Sequence, residues 1–203
     1  MPLYKDFSDA RTEILVWKYE EGERFDEEEL LEPENYHRFE ACRPTKKLEM
    51  LMVRQILHKK LPGSKILYGP EGEPYLEPRH FEISISHSFP YAVLAISKEK
   101  IGVDLEPFRE KIVRLKDKFI LKEEQDFIPE HQVVEYLTVI WSLKESLYKI
   151  HHSNFWSLKQ HYEVRPFELG DETIACRVYD GHFSDYFLGH VHFFDHMVLT
   201  LVR

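Results

Sequence analysis

Cysteine is scarce in this 203-residue chain: Cys42 and Cys176 are far apart and form no C-x-x-C pairing. That excludes a disulfide framework and a cysteine zinc site, and it fits a reducing, intracellular compartment. Long apolar runs are missing as well. Nowhere do about 18 apolar residues follow one another, so no transmembrane helix is expected. Lys5, Asp6, Asp9 and Arg11 precede the short apolar run from Ile14 to Trp17, which is too brief and too charged to read as a signal peptide. The expectation is a soluble, cytoplasmic protein with no membrane partner. Positive charge is in deficit: Lys+Arg 27 against Asp+Glu 36 gives a net charge of −9. A nucleic-acid binder acting through global charge is thereby disfavoured, and any acidic partner must be met by a local basic patch. There is no internal repeat and no low-complexity linker. What is present is globular, with 43% hydrophobic and 14% aromatic residues on a length that suits one to two domains.

Periodicity organises the chain. Residues 20–34 are acidic with few apolar anchors and read as a solvated segment or the lead into a helix. Leu48, Met52, Ile56 and Leu57 recur at helical spacing and predict a helix over 46–60, stopped by Leu61-Pro62-Gly63. The Gly- and Pro-punctuated stretch 68–78 predicts turns. Residues 81–86 and 91–96 predict two strands parted by a turn at 87–90, and 101–105 a short strand ended by Pro107. A basic amphipathic helix is expected up to Phe119, and a longer helix over 133–150. Strands over 173–179, 186–194 and 197–202 follow, parted by Asp180-Gly181 and Asp195-His196. Strands and helices do not alternate strictly, so the fold class is α+β.

Three elements carry chemistry. In Gly102-Val103-Asp104-Leu105-Glu106, strand alternation puts both carboxylates on one face, where they repel unless a cation or proton lies between them. Mg²⁺ resolves this, since it takes one or two carboxylates, waters and phosphate oxygens; solvated acids at a strand end are the plainer reading. In Trp141-Ser142-Leu143-Lys144-Glu145-Ser146-Leu147-Tyr148-Lys149, Glu145 and Lys149 share a helix face, an arrangement that by itself is an ordinary Glu–Lys pair. Functionally, Glu145 could complete a metal site or take a proton from an attacking hydroxyl, with Lys149 neutralising phosphate charge. In Ile83-Ser84-Ile85-Ser86-His87-Ser88, a strand runs out into hydroxyls flanking an imidazole, groups suited to holding phosphate.

In this order, the three elements resemble the 4'-phosphopantetheinyl transferases, specifically the larger monomeric type, from about Lys46 to Lys149. The resemblance implies Asp104, Glu106 and Glu145 as Mg²⁺ (or Mn²⁺) ligands, with Glu145 also the base that activates a carrier serine. It implies Lys149 at the pyrophosphate of coenzyme A, and His87 with Ser86 at its 3'-phosphate. Lys46, Lys47 and Arg54 lie where the family's first helix carries basic residues for the CoA phosphates. The implied fold is two similar α/β halves, 1–97 and 98–203, forming a pseudo-dimer in one chain with CoA and metal in the cleft between them. The implied reaction moves the 4'-phosphopantetheine arm of CoA to a serine of an apo acyl or peptidyl carrier protein and releases 3',5'-ADP. Two positions depart from the pattern: Gly72-Glu73-Pro74 replaces a G-K-P turn, and His151-His152-Ser153-Asn154 replaces a glycine-rich turn.

Carrier proteins of this class are acidic, so docking needs local positive charge. Arg109, Arg114 and Lys118, interleaved with Ile112, Leu115 and Phe119, form the expected docking stretch. Two other readings stand beside the enzyme. One is a non-catalytic relative that binds CoA or a carrier. The other is a zinc protein built on His190, His192 and His196.

Overall fold

Alternation of large apolar side chains along 12–18 and 91–97 makes two strands that pair through the middle of an antiparallel sheet. The computed structural model describes residues 3–151 and 157–203. The chain divides between Lys100 and Ile101 into two units. The first contains β1 (Lys5–Asp6), β2 (Thr12–Lys18), α1 (Glu27–Leu30), α2 (Tyr36–Glu40), α3 (Pro44–Lys60), β3 (Lys65–Tyr68), β4 (Pro74–Glu77), β5 (Glu82–Ser88) and β6 (Tyr91–Ser97). Its main sheet runs β1-β2-β6-β5, and β3 with β4 form a separate hairpin. Helix α3 opens on Pro44, whose fixed φ suits a first helical position, and closes on His58, Lys59 and Lys60, whose charges suit a helix C-terminus. Met52, Val53, Ile56 and Leu57 form one core cluster with Leu15, Trp17, Ala92, Leu94 and Ile96 of the sheet.

Three expectations change here. The stretch 68–78 is not all turn, because β4 pairs back on β3 with Tyr68 opposite Pro74, and the reversal turns at Gly72, φ +88. His87 lies within β5 opposite Ala92 rather than in the turn. The acidic stretch 20–34 also contributes to the core. Glu32 and Arg54, 8% and 2% exposed, pair at 2.8 Å. The Glu32 carboxylate further accepts from Asn35 Nδ2 at 2.8 Å and from Ile66 N at 2.9 Å. Composition hid this because the counter-ion lies on α3, a helix away in sequence.

The second unit contains β7 (Gly102–Pro107), α4 (Lys122–Gln125), α5 (Val133–His151), α6 (Leu158–His161), β8 (Tyr162–Val164), β9 (Thr173–Tyr179), β10 (Ser184–Phe194) and β11 (Met197–Val202). Its antiparallel sheet has the order β7-β11-β10-β9-β8. Leu137, Ile140, Leu143 and Leu147 of α5 share a core with Ile174, Val178, Val191, Val198 and Val202. The mixed helix and antiparallel sheet of both units make the fold α+β. Among the described residues, no helix is long and apolar enough to cross a membrane. The basic stretch Glu110–Lys118 is a 3-10 helix rather than an α-helix. Phe119 just after it is 0% exposed and packs edge-on to Trp141 with ring centroids 5.0 Å apart. It is a core residue, so it does not belong to a docking surface.

One buried ion pair ties this region together. Lys144 Nζ donates to Glu124 Oε2 at 2.7 Å and to the Phe119 carbonyl at 2.6 Å. The Glu124 carboxylate also accepts from Leu121 N at 2.8 Å and Val164 N at 2.9 Å. Burial pulls the Lys144 ammonium below its usual range while Glu124 pulls it back. Removing one partner strands the other charge in the core, whereas replacing both by apolar groups does not. Lys144→Met or Glu124→Gln alone is expected to lower stability in urea unfolding by about 3–5 kcal/mol, and Lys144→Met with Glu124→Leu to recover most of it.

Candidate functional site

The acidic group is assembled by how α5 lies on β7. Alternation along β7 puts Gly102, Asp104 and Glu106 on one face. Asp104 pairs across the ladder with Thr200 of β11, whose hydroxyl meets Ser142 Oγ at 2.9 Å and Ser146 Oγ at 2.8 Å. That face is therefore the one turned to α5. Gly102 permits the approach: a Cβ there would stand 1.9 Å from the Ser146 carbonyl oxygen and 3.2 Å from Ile150 N. Trp141, Glu145 and Lys149, four residues apart on α5, then project toward the β7 carboxylates. Trp141 Nε1 donates to Glu106 Oε1 at 3.0 Å. Lys149 Nζ donates to Asp104 Oδ1 and to the Val103 carbonyl, both at 2.8 Å.

The electrostatics show that Asp104 acts on both Glu145 and Glu106, and Glu106 on Glu145. Burial first, then the charges of Asp104 and Glu106, push the Glu145 carboxyl up to about 7 against the opposing pull of Lys149. Burial and the Asp104 charge also raise Glu106, with the Trp141 hydrogen bond, Lys149 and Arg109 opposing. These are hard oxygen donors whose mutual repulsion a divalent cation would relieve. Among the described residues, however, no three His, Cys, Asp or Glu side chains are grouped so as to hold a metal ion. Lys149 and Trp141 take that place in part, pairing with Asp104 and Glu106. The same observation removes support from a zinc centre at His190, His192 and His196. The residues 152–154 that stand in place of the glycine-rich turn lie outside the described residues.

A second polar group lies within the first unit. His87 Nδ1 is 2.9 Å from Glu49 Oε2, and Lys46 Nζ is 3.6 Å from the same oxygen. The other ring nitrogen of His87, Nε2, meets Lys46 Nζ directly. With Arg38, Arg54, Tyr68, Gly72 and Pro74 they line a cavity of about 200 Å³. The Arg38 guanidinium lies over the Tyr68 ring at 3.9 Å. Lys47 and Ser86 are not among the cavity residues. Lys47 pairs with Glu40 at 3.0 Å and lies over the Phe39 ring. Ser86, of the opposite parity on β5 and buried, faces away from the side that His87 and Ile85 share.

The basic segment presents Arg109, Arg114 and Lys118 to solvent, while Ile112 and Leu115 are half-buried against the core of the second unit. Its outer face is therefore cationic, and its apolar residues are largely turned inward. Several residues of both groups escaped the sequence reading. Glu49 could have been placed beside Lys46 from its spacing on α3, but its contact with His87 is tertiary. Trp141 has the spacing of a core aromatic, and only the fold shows its N–H on Glu106. Lys144 and Glu124 give no local signal at all.

Two measurements test this geometry. Gly102→Ala should force α5 off β7, costing about 1–3 kcal/mol in denaturant unfolding and lowering any activity that needs Glu145 beside Asp104. A carboxyl raised in the folded state contributes stability at low pH that is lost as pH rises through about 7. Glu145→Gln should therefore stabilise the metal-free protein at pH values above about 7 and leave it nearly unchanged in acid, read as melting temperature against pH.

Comparison with known proteins bears on the half that holds this acidic group. The sequence model described as the 4'-phosphopantetheinyl transferase superfamily matches residues 100–202, a span that takes in β7, α5 and the whole second sheet. A 4'-phosphopantetheinyl transferase of Bacillus pumilus is 27% identical over 108 residues, covering 49% of this chain and 46% of that protein. The chain thus spans about half the length of that relative. With more than half of its residues matched by the superfamily model, this chain belongs to the 4'-phosphopantetheinyl transferase superfamily.

Proposed function

We propose that the protein transfers the 4'-phosphopantetheine arm of coenzyme A to a serine of an apo acyl or peptidyl carrier protein, releasing 3',5'-ADP. The observation that carries this reading is the meeting of Asp104, Glu106, Glu145 and Lys149 on one face of β7 and α5, within the span matched by the superfamily. In the transfer, the serine oxygen forms a new bond to the β-phosphorus of CoA, the bond to the 3',5'-ADP oxygen breaks, and the serine proton leaves.

The site's own residues can serve each need. Glu145, whose carboxyl is pushed up to about 7 in the metal-free site, is placed to accept the serine proton. Lys149, at present the counter-ion of Asp104, carries the cation that a pyrophosphate needs and is 29% exposed by its side chain, so it can reach one. Trp141 holds Glu106 in place through its indole N–H. Asp104, Glu106 and Glu145 are the carboxylates that would hold Mg²⁺ or Mn²⁺, and they would have to draw together around the ion, since they are not grouped for one as they stand. Such an ion, when bound, would neutralise charge gathering on the phosphate oxygens. Lys46, His87 and Arg38 suit the phosphomonoester of CoA. The exposed Arg109, Arg114 and Lys118 suit an acidic carrier. The same reading makes the protein a cytoplasmic monomer, with two halves of related plan. The related plan of the halves is supported by each unit laying one long helix on an antiparallel sheet.

Intact-mass spectrometry of an apo carrier protein incubated with this protein and CoA tests the reaction. A gain of one phosphopantetheine arm with Mg²⁺, lost with chelator, is expected. No gain on several carriers, with CoA binding intact, would favour a non-catalytic binder. Asp104→Ala and Glu145→Gln should each lower the rate by at least about 100-fold with the fold retained. Charge reversal at Arg114 and Lys118 should raise the KM for carrier and leave that for CoA unchanged; unaltered carrier kinetics would remove the docking assignment.

A further inference from the structure

The cavity of the first unit holds a group that an anion site does not call for, a carboxylate. Glu49 lies one turn along α3 from Lys46, with its side chain only 10% exposed. Beside a phosphate it would repel unless cations in contact with it cancel its charge. Lys46 at 3.6 Å is one, and His87, whose Nδ1 is 2.9 Å away, becomes a second once its ring is protonated. Burial works to raise the Glu49 carboxyl, yet the His87 hydrogen bond, with Lys46 beside it, holds it below the ordinary range. Burial likewise takes Lys46 below its range while Glu49 pulls it back. The other charged or titratable groups lining the cavity are Arg38 from α2, Arg54 from α3 and Tyr68 from β3. Arg54 is committed to Glu32, and Arg38 to the Tyr68 face. Glu73, in the turn before β4, folds its carboxylate onto Glu71 N at 3.1 Å.

The proton arrangement follows from these contacts. His87 Nε2 meets Lys46 Nζ, and two N–H groups cannot point at each other, so Lys46 donates and Nε2 accepts. Nδ1–H is then the donor to Glu49. A phosphomonoester entering the cavity takes Lys46 as a donor and turns it from Nε2. That nitrogen can also donate to the phosphate only if it gains a proton, and the new charge sits on a ring whose other nitrogen is already held by a carboxylate. A carboxylate–imidazole pair of this kind both orients the ring and favours its cationic form.

We propose that Glu49 is a positioning residue for phosphomonoester recognition, which fixes the His87 ring and supplies the counter-charge for a proton taken up when the phosphate binds. The inference rests on the reading that this cavity receives the 3'-phosphate of CoA. It makes the preference for CoA over its dephosphorylated form a property of three residues, Lys46, Glu49 and His87, in which the acid strengthens anion binding. The linkage has a definite sign: a complex that holds one more proton than the free components weakens as pH rises.

Titration calorimetry with CoA and with 3'-dephospho-CoA, from about pH 6 to about pH 8 in buffers of different ionisation enthalpy, tests this. The native protein should prefer CoA, with proton uptake seen for CoA only. Glu49→Gln keeps an acceptor for Nδ1–H and removes the charge. It should cut the preference for CoA by about tenfold, start the loss of affinity at lower pH, and leave dephospho-CoA affinity unchanged. His87→Gln should abolish the proton uptake, which gives an independent answer if the Glu49 variant does not fold. An unchanged preference and pH profile in Glu49→Gln, tighter CoA binding there, or uptake that survives in His87→Gln would overturn the proposal. A native protein that does not distinguish the two ligands would overturn the cavity assignment itself.

Discussion

The close approach of α5 to β7 is the constraint on which the acidic group depends. It needs a residue without a side chain at position 102, because any Cβ would stand against the Ser146 carbonyl. It needs hydroxyls where the two elements touch, and Ser142, Ser146 and Thr200 satisfy one another there. With the helix that close, a carboxylate on its next turn falls among the β7 acids, and a lysine one turn further reaches Asp104. The perturbed Glu145 and Glu106 follow from this placement, since their shifts come from burial and from each other's neighbours.

Charge compensation in the interior is the second theme, and it works at three levels of exposure. Glu124 with Lys144 is fully buried, and both partners collect backbone hydrogen bonds that satisfy their remaining capacity. Glu32 with Arg54 is nearly so, and it fastens the segment before α2 to α3 and β3. Glu49 with Lys46 and His87 opens on a cavity, and on the proposal above its partners exchange one another for an outside anion. The first two pairs hold segments in place, at the desolvation cost that buried ions carry. The third lies where the chemistry of an anionic ligand can act on it.

Much of the fold was legible because it rests on local periodicity. The helix at 46–60 starts two residues after the observed Pro44–Lys60, and the one at 133–150 stops one residue before the end of the observed Val133–His151. The C-terminal strands were equally plain from β-branched and aromatic runs between turn residues. The strand over 12–18 went unassigned, since an apolar run that short has no period of its own to distinguish strand from helix. Phe119 was misplaced for a related reason. It follows the end of the 3-10 helix, so α-helical spacing from Ile112 and Leu115 does not place it, and it packs into the core against Trp141.

By itself the sequence determined which candidate residues share a face: strand alternation puts Asp104 with Glu106, and helical spacing puts Glu145 with Lys149. Those relations span a few residues and follow from backbone geometry alone. Only the tertiary structure decided which of those faces meet, that Trp141 holds Glu106, that Glu49 reaches His87, and that Lys47 and Ser86 turn away. Such contacts join residues tens of positions apart, and they depend on helix-to-sheet packing distances that local propensity does not encode.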